Sequence, residues 1–389
     1  MKGKTFHGSN PEEIKEGKIT DVYFLRAKRI LEAKGINPLV KAEVIAKELP
    51  SGWKWGVLAG IEELSHLLED LPLNVRAMNE GTVFYPEEPV VEIEGKYLDF
   101  CVYETSLLGL LCQASGIATK SARLRKLAGD RLLVSFGARR IHPLIAPMVE
   151  RNAFIGGCDG VAVIKSAEII GEDPMGTMPH ALILILGSTI SAVKAFDEII
   201  EPAVKRVALI DTLQDEKFEA IEVAEEMGEK LYAIRLDTPS SRRGNFRKII
   251  EEVKWELSLR GKGNIKIFVS GGIDEDDIVQ LNDLVDAYGI GTSISNAPVI
   301  DFSLDIVEIE GKPFSKRGKL SGSKRVLKCY ECGRRKIIPN RNYEVICECG
   351  SRMEDILIPF MERGRVLKEL PSPERIRTYV LEQIGKIPL

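Results

Sequence analysis

The sequence predicts an α/β fold: a parallel sheet, open or closed into a barrel, preceded by an α+β domain and followed by a small cysteine-bearing module. Three observations predict it. Between Leu132 and Ile294, five short β-branched or aliphatic runs alternate with amphipathic helical stretches, the pattern of parallel strands joined by helical crossovers. Polar residues or glycine follow each run at once, as they do where strand ends converge on one binding face. Four cysteines crowd into two close pairs between Cys329 and Cys349. The 389 residues suit two or three domains, and 44% hydrophobic against 29% charged residues excludes a disordered or fibrous chain.

The elements follow in order. Helical periodicity runs over Tyr23–Lys34 and Val57–Leu68, with short strands around Val83 and over Val90–Ile93, punctuated by Pro86 and Pro89. Apolar residues from Leu98 to Leu127 keep a helical period that Ser115 and Gly116 should break. The barrel strands are expected at Leu132–Phe136, Val207–Ile210, Leu231–Ile234, Ile265–Val269 and Ala287–Ile290. Two further strands, Leu304–Ile309 and Val326–Cys329, flank a loop rich in Lys, Gly and Ser, and a helix from Pro373 to Ile384 closes the chain. The expected domains are therefore 1–112, 113–296 and 297–389, with the cysteine knuckle at 325–353.

Charge narrows the partners. With 54 basic and 58 acidic side chains the formal charge is −4, so nucleic acid is not the default ligand. The basic stretch Lys312–Lys336 keeps a zinc-ribbon nucleic-acid module open as an alternative of a different class. High charge with little glutamine is a composition of proteins from hot environments. The longest apolar run, Ala181–Gly187, is far short of the ~20 residues of a membrane span, and the polar start reads as no signal peptide. An odd cysteine total, clustered as it is, favours a reducing cytoplasm and a metal over disulfides.

Cys329, Cys332, Cys347 and Cys349 supply four thiolates, and Gly333 and Gly350 allow the tight turns behind each pair. Tetrahedral zinc suits them, and four protein ligands leave no open position, so the ion should be structural. Ser270-Gly271-Gly272 and Gly289-Ile290-Gly291-Thr292-Ser293 each follow an expected strand. Their backbone N–H groups and hydroxyls suit a phosphate, helped by the N-terminus of a following helix. Arg139 and Arg140 follow the first barrel strand and Arg235 the third, suggesting an anionic substrate. Asp211 and Asp237 suit ribose hydroxyls, a magnesium ion or a helix cap. His180, in Gly176-Thr177-Met178-Pro179-His180, is a lone histidine, which by itself is more often structural than catalytic.

Taken together these residues resemble the nicotinate phosphoribosyltransferase family, the type II phosphoribosyltransferases of NAD biosynthesis. Thr20-Asp21-Val22-Tyr23, Glu104-Thr105, Phe136 to Arg140, Gly156-Gly157, Gly176 to His180, Asp211-Thr212, Arg235-Leu236-Asp237, Ser270 to Gly272 and Gly289 to Thr292 carry the likeness, and the cysteine knuckle is similar to that of some archaeal members. The resemblance implies an irregular α/β barrel and a substrate-binding α/β domain completed by both chain ends. It also implies a homo-oligomer, a dimer or a hexamer built as a trimer of dimers, whose active site lies at a subunit interface. Nicotinate and phosphoribosyl pyrophosphate with Mg2+ would be the substrates, and ATP a co-substrate that phosphorylates His180. Arg235 and Asp237 would join His180 as catalytic residues. Tyr23 would stack on the pyridine ring, Arg139, Arg140, Thr177 and Asp211 would contact substrate, and Ser270, Gly271, Gly272, Gly291 and Thr292 would hold the 5-phosphate. The chain departs from the family after Asp237, where Thr238-Pro239-Ser240-Ser241-Arg242-Arg243 replaces the Ser-Gly-Asp of many members, leaving Arg242 and Arg243 as candidates for pyrophosphate. The rival within the fold is quinolinate phosphoribosyltransferase, also called nicotinate-nucleotide pyrophosphorylase, which uses the same donor, takes a dicarboxylate and lacks the phosphohistidine. A nicotinamide-specific enzyme is a further alternative, against which Arg139 favours the acid.

Overall fold

A computed structural model describes residues 6–389 of the protein, apart from the side chains of Ser240 and Arg243. The chain forms two units, one taking the segments up to Thr119 and from Pro298 onward, the other Lys120–Ala297.

The first unit is built on an antiparallel seven-stranded sheet in the order Lys312–Pro313, Phe302–Ile309, Leu39–Ala46, Pro89–Lys96, Asn74–Ala77, Ile358–Glu362, Arg365–Val366. Leu39–Ala46, paired on both sides, is buried at most positions despite its charged Lys41 and Glu43; Val44 lies opposite both Leu304 and Val91. The core beneath includes Val44, Leu58, Leu64, Leu68, Met78, Phe84, Ile93 and Leu111, all completely buried. Each such side chain stabilises the fold by roughly 1.5–3 kcal/mol relative to exposure.

A three-stranded sheet, Arg335–Pro339, Lys324–Lys328, Glu354–Asp355, carries the cysteines. Arg76 ties it to the large sheet: one terminal nitrogen reaches Glu92 (2.9 Å) and the Lys324 carbonyl (3.0 Å), the other Asp355 (3.0 Å) and the Leu357 carbonyl (2.9 Å). Lys324 in turn pairs with buried Glu43 at 2.8 Å. The two cations, Arg76 and Lys324, each find several partners, as charges held away from water require.

Several expectations change here. Val57–Leu68 is not one helix: Gly56–Val57 pairs with Val83–Phe84, and the helix runs Ile61–Leu68 behind Gly60, whose positive φ of 88° turns the chain. The helix expected to break at Ser115 and Gly116 runs unbroken over Glu104–Ala128. Ser115 exchanges hydrogen bonds with the Ala59 backbone, and a Cβ on Gly116 would stand 2.3 Å from the Pro298 carbonyl oxygen, so both small residues serve close approach rather than interruption. With the turns before it, Tyr97–Ala128 is long and apolar enough to cross a membrane by length and composition alone, but 56% of its apolar window is buried inside the protein, as in a core helix. Strands Leu39–Ala46 and Asn74–Ala77 escaped the sequence reading because Lys41, Glu43 and Arg76 interrupt their apolar pattern, and Ile358–Glu362 because it carries Pro359.

The second unit is the α/β barrel. Its six strands are all parallel, in the order Gly160–Val161, Leu132–Ser135, Ala287–Ile290, Lys266–Val269, Ala233–Leu236, Val207–Leu209. The outer two strands do not pair with each other, which makes the barrel irregular. Amphipathic helices such as Glu216–Met227 and Phe246–Leu259 pack on its outside, burying Ala220, Val223, Ile250 and Val253. The third expected strand is displaced: it occupies Ala233–Leu236, so Arg235 lies within the strand rather than after it.

Candidate active site

The strand ends of the second unit open on a cleft of about 530 Å³ whose walls include Phe136, Arg139, Thr177, His180, Arg235 and Asp237. Arg235 is its centre. The guanidinium lies within cation–π reach of two neighbouring rings, Phe136 (5.2 Å) and Phe268 (5.9 Å), whose own centroids are 5.8 Å apart, so both aromatics support it from one side. Nε donates to Ser270 Oγ at 2.9 Å, one terminal nitrogen donates to Thr177 Oγ1 at 2.8 Å, and the other stands 3.2 Å from Asp237 Oδ1. Ser270 Oγ donates to that same carboxylate oxygen at 2.6 Å. Neither phenylalanine was anticipated as a site residue; their place at or before a strand end was the available signal.

His180 opens the helix His180–Leu186, placed after the turn residue Pro179. Its Nδ1 is 2.9 Å from Thr212 Oγ1 and its Nε2 3.4 Å from Asp237 Oδ2. Asp237 thus connects the imidazole to Arg235 through its two oxygens. Burial pushes the Asp211 carboxyl up, with Asp237 adding to the rise and His180 opposing it. Asp211 Oδ1 is buried without a hydrogen-bond partner, an orphaned acceptor that a cation or an ordered water would satisfy.

The glycine loops are shaped by close approach. Gly271 has φ 84°, and a Cβ there would stand 2.5 Å from the Asp237 carbonyl oxygen; one on Gly289 would press into the Phe136 ring. The helix expected to help with phosphate behind Ser270–Gly272 is Glu275–Leu281, but Asp274 already caps it by accepting from Asp276 and Asp277 N–H, and its first turn carries Glu275, Asp276 and Asp277. Its dipole is answered by its own carboxylates, so an anion at this loop would depend on the loop's backbone. Gly272 and Thr292 are exposed at the loop tips and Gly291 is half-buried.

The other expected site residues are placed as follows. Arg140 is exposed beside Arg139 in the turn Ala138–Arg140, and Arg242 is exposed; the side chain of Arg243 lies outside those described. Tyr23 belongs to the first unit, where it is 57% exposed on the helix Val22–Ala33. The preceding Asp21 accepts from Thr105 Oγ1 at 2.9 Å, bringing the Thr20–Tyr23 and Glu104–Thr105 motifs together.

Far along the chain, the four cysteine sulfurs lie within 4.8 Å of one another, with Cys329–Cys349 and Cys332–Cys347 at 3.5 Å. Zinc with sulfurs at ~2.3 Å in a tetrahedron sets them about 3.8 Å apart, so the cluster could hold a metal ion and is compatible with structural zinc. Much of the basic charge around it is already engaged. Arg334 pairs with Glu348, Arg352 with Glu344, and Arg335 with buried Glu88, which disfavours a phosphate-backbone surface.

Comparison with known proteins agrees with this geometry. The family models described as quinolinate phosphoribosyl transferase, N-terminal domain and C-terminal domain, match residues 21–115 and 117–305. Nicotinate phosphoribosyltransferase pncB2 of Mycobacterium tuberculosis is 26% identical over 95% of this chain and 87% of its own length. The crystal structure of nicotinate-nucleotide pyrophosphorylase from Pyrococcus furiosus superposes with a TM-score of 0.97 at 55% identity, covering 99% of both chains. Human nicotinic acid phosphoribosyltransferase shares the fold, with a TM-score of 0.75 at 18% identity over 95% of this chain and 94% of its own. A parallel barrel with an arginine, a histidine and two glycine loops at its strand ends, matched along nearly its whole length by such relatives, places the chain: it is a phosphoribosyltransferase and belongs to the nicotinate phosphoribosyltransferase family.

Proposed function

We propose that the protein joins nicotinate to phosphoribosyl pyrophosphate, releasing nicotinate mononucleotide and pyrophosphate in NAD biosynthesis, and that ATP drives the reaction by phosphorylating His180. The observation that carries this is the imidazole held between Thr212 and Asp237 at the rim of the cleft. Joining base to sugar needs no imidazole, because the pyridine nitrogen is itself the nucleophile. A histidine fixed at two points and facing a cleft of anion-binding groups suits transfer of the ATP γ-phosphoryl group, with ADP leaving and later hydrolysis returning phosphate.

In this reading Arg235 and Arg139 hold the anionic groups of substrate, and Arg235 is aligned beforehand by its hydrogen bonds to Ser270 and Thr177 and by the two rings beside it, so little order is lost on binding. As pyrophosphate departs, the anomeric carbon gains positive character, and the chain's part is to align the nitrogen and stabilise the leaving charge. Arg140, Ser270, Gly271, Gly272, Gly291 and Thr292 would contact the phosphates, and Thr177 would keep Arg235 in place. Mg2+, bound with the donor, would neutralise phosphate charge; orphaned Asp211 Oδ1 suits that hard cation. Zinc in the cysteine cluster would be structural. Tyr23, exposed in one subunit, would serve the site of a neighbour in a dimer or trimer of dimers, and the enzyme would work in the cytoplasm.

The quinolinate reading draws on the names of the family models and of the Pyrococcus furiosus structure. Those models end at residue 305, while the likenesses to the Pyrococcus furiosus structure and to a nicotinate phosphoribosyltransferase cover 99% and 95% of the chain, so coverage does not choose between the bases and the held imidazole carries the nicotinate reading. The test is mononucleotide formation by the purified protein with Mg2+ and the donor, offering nicotinate, quinolinate and nicotinamide separately, with and without ATP. Product from nicotinate that rises with ATP is expected; product only from quinolinate overturns the choice of base. His180→Ala should keep slow transferase activity and lose the stimulation by ATP, and an unchanged ATP response would sink the histidine's role.

A further inference from the structure

Thr212 was expected only as part of a motif, yet it stands in a chain of hydrogen bonds whose directions can be assigned one after another. Glu219, 2% exposed on the helix Glu216–Met227, accepts from the Thr189 hydroxyl through Oε1 and from the Thr212 backbone N–H through Oε2 (3.3 Å). Thr189 opens the helix Thr189–Ile199, so one buried carboxylate pins the Thr212 backbone to a second helix. The Thr212 hydroxyl then meets His180 Nδ1 at 2.9 Å, and His180 Nε2 faces Asp237 Oδ2 at 3.4 Å. The Asp237 contact is an ion-pair distance rather than a hydrogen bond, but a carboxylate there favours the proton of neutral His180 on Nε2, which leaves Nδ1 to accept from the Thr212 hydroxyl. No member of the chain has its role reversed by a neighbour, and its two ends rest on different elements of the barrel unit.

We propose that Thr212 is a positioning residue for His180, fixing its tautomer and ring plane, and that Glu219 with Thr189 is the strut that keeps Thr212 in place. The inference rests on the reading of His180 as the phosphorylated residue only for its effect on rate; the tautomer rests on the Thr212 hydrogen bond and the Asp237 carboxylate facing Nε2. Glu219 therefore matters to the site although it touches no substrate, and Thr189 acts at one further remove.

The test uses the full-length protein labelled with 15N-histidine. Only four histidines exist, and His180→Ala assigns the relevant signal. Long-range 1H–15N spectra at a pH where the ring is neutral should show His180 as the Nε2–H tautomer. Thr212→Val keeps the shape and removes the hydroxyl; it should give a mixture of tautomers and lower ATP-stimulated kcat about tenfold, the scale of one lost hydrogen bond. KM for the base should change little. Thr212→Ser should restore both readings. A folded Thr212→Val with unchanged tautomer and kcat would overturn the proposal. Should that variant not fold, Thr189→Val tests the strut from outside the cleft, and an unaltered His180 spectrum there overturns the strut. A tautomer shift in Thr212→Val, alongside an ATP response that survives His180→Ala, would leave the positioning role standing while removing the phosphohistidine.

Discussion

At the residue scale, the same side-chain type takes its chemistry from its surroundings. Glu104, facing Tyr97, Phe100 and Asp305 in a cavity of about 360 Å³ in the first unit, has its carboxyl pushed up to about 7, chiefly by burial and then by Asp305, with Lys316 opposing. Asp305 goes the other way: the hydrogen bonds of Lys316, Lys319 and Ser303 outweigh its burial and hold it below the usual range. For Glu104 the folded state keeps a proton that the unfolded chain has released, so stability falls as pH rises from the ordinary carboxylate range to about 7 and stays reduced above it. Glu104→Gln should accordingly raise the melting temperature at pH 8 by a few degrees, on the order of what 1 kcal/mol moves a domain of this size, and change little at pH 4. Melting curves at the two pH values decide it; equal gains at both would mean that the charge is not responsible. The sequence shows only that a glutamate sits within a helical stretch. It does not show the aromatic wall that makes it reluctant to ionise.

At the element scale, the cysteine knuckle shows how far local spacing reaches. Gly333 and Gly350, with φ of 75° and 91°, make the two turns that bring the pairs together, as spacing alone predicted. Beyond the sequence reading lies the knuckle's anchorage through Arg335, which reaches the Val83 carbonyl at 2.7 Å and Glu88 at 3.3 Å. We expect Cys332→Ser to lose one bound metal per chain, measured by elemental analysis, and to destabilise the first unit by several kcal/mol, on the order of a structural metal's contribution. Retained metal and an unchanged melting curve would count against a metal-built module. The helix Glu104–Ala128 teaches the converse lesson. Its serine and glycine read as punctuation, because propensity has no knowledge of Ala59 and Pro298 waiting across the interface that those small residues admit.

At the scale of the whole molecule, the surface hints at assembly. The helix that His180 opens ends in Leu184, Ile185 and Leu186, with Ile185 81% exposed and Leu184 61%. An apolar helix end beside the cleft fits the homo-oligomer proposed above. Ile185→Asp should therefore reduce the particle mass measured by light scattering, and a mass unaltered by the charge would place the subunit contact elsewhere. The sequence by itself determined the alternation of strand and helix in the barrel, the polar strand ends, the cysteine geometry and the membership that their order implies, since periodicity, turn chemistry and ligand spacing are local properties. Only the tertiary structure decided that Arg235 lies within its strand against two phenylalanines, that Asp237 joins it to His180, and that Glu219 stands behind Thr212. These are contacts between residues far apart in the chain, such as Arg235 with Phe136 and with Thr177. Such pairings are fixed by the register of neighbouring strands and the packing of the helices between them, which no local pattern encodes.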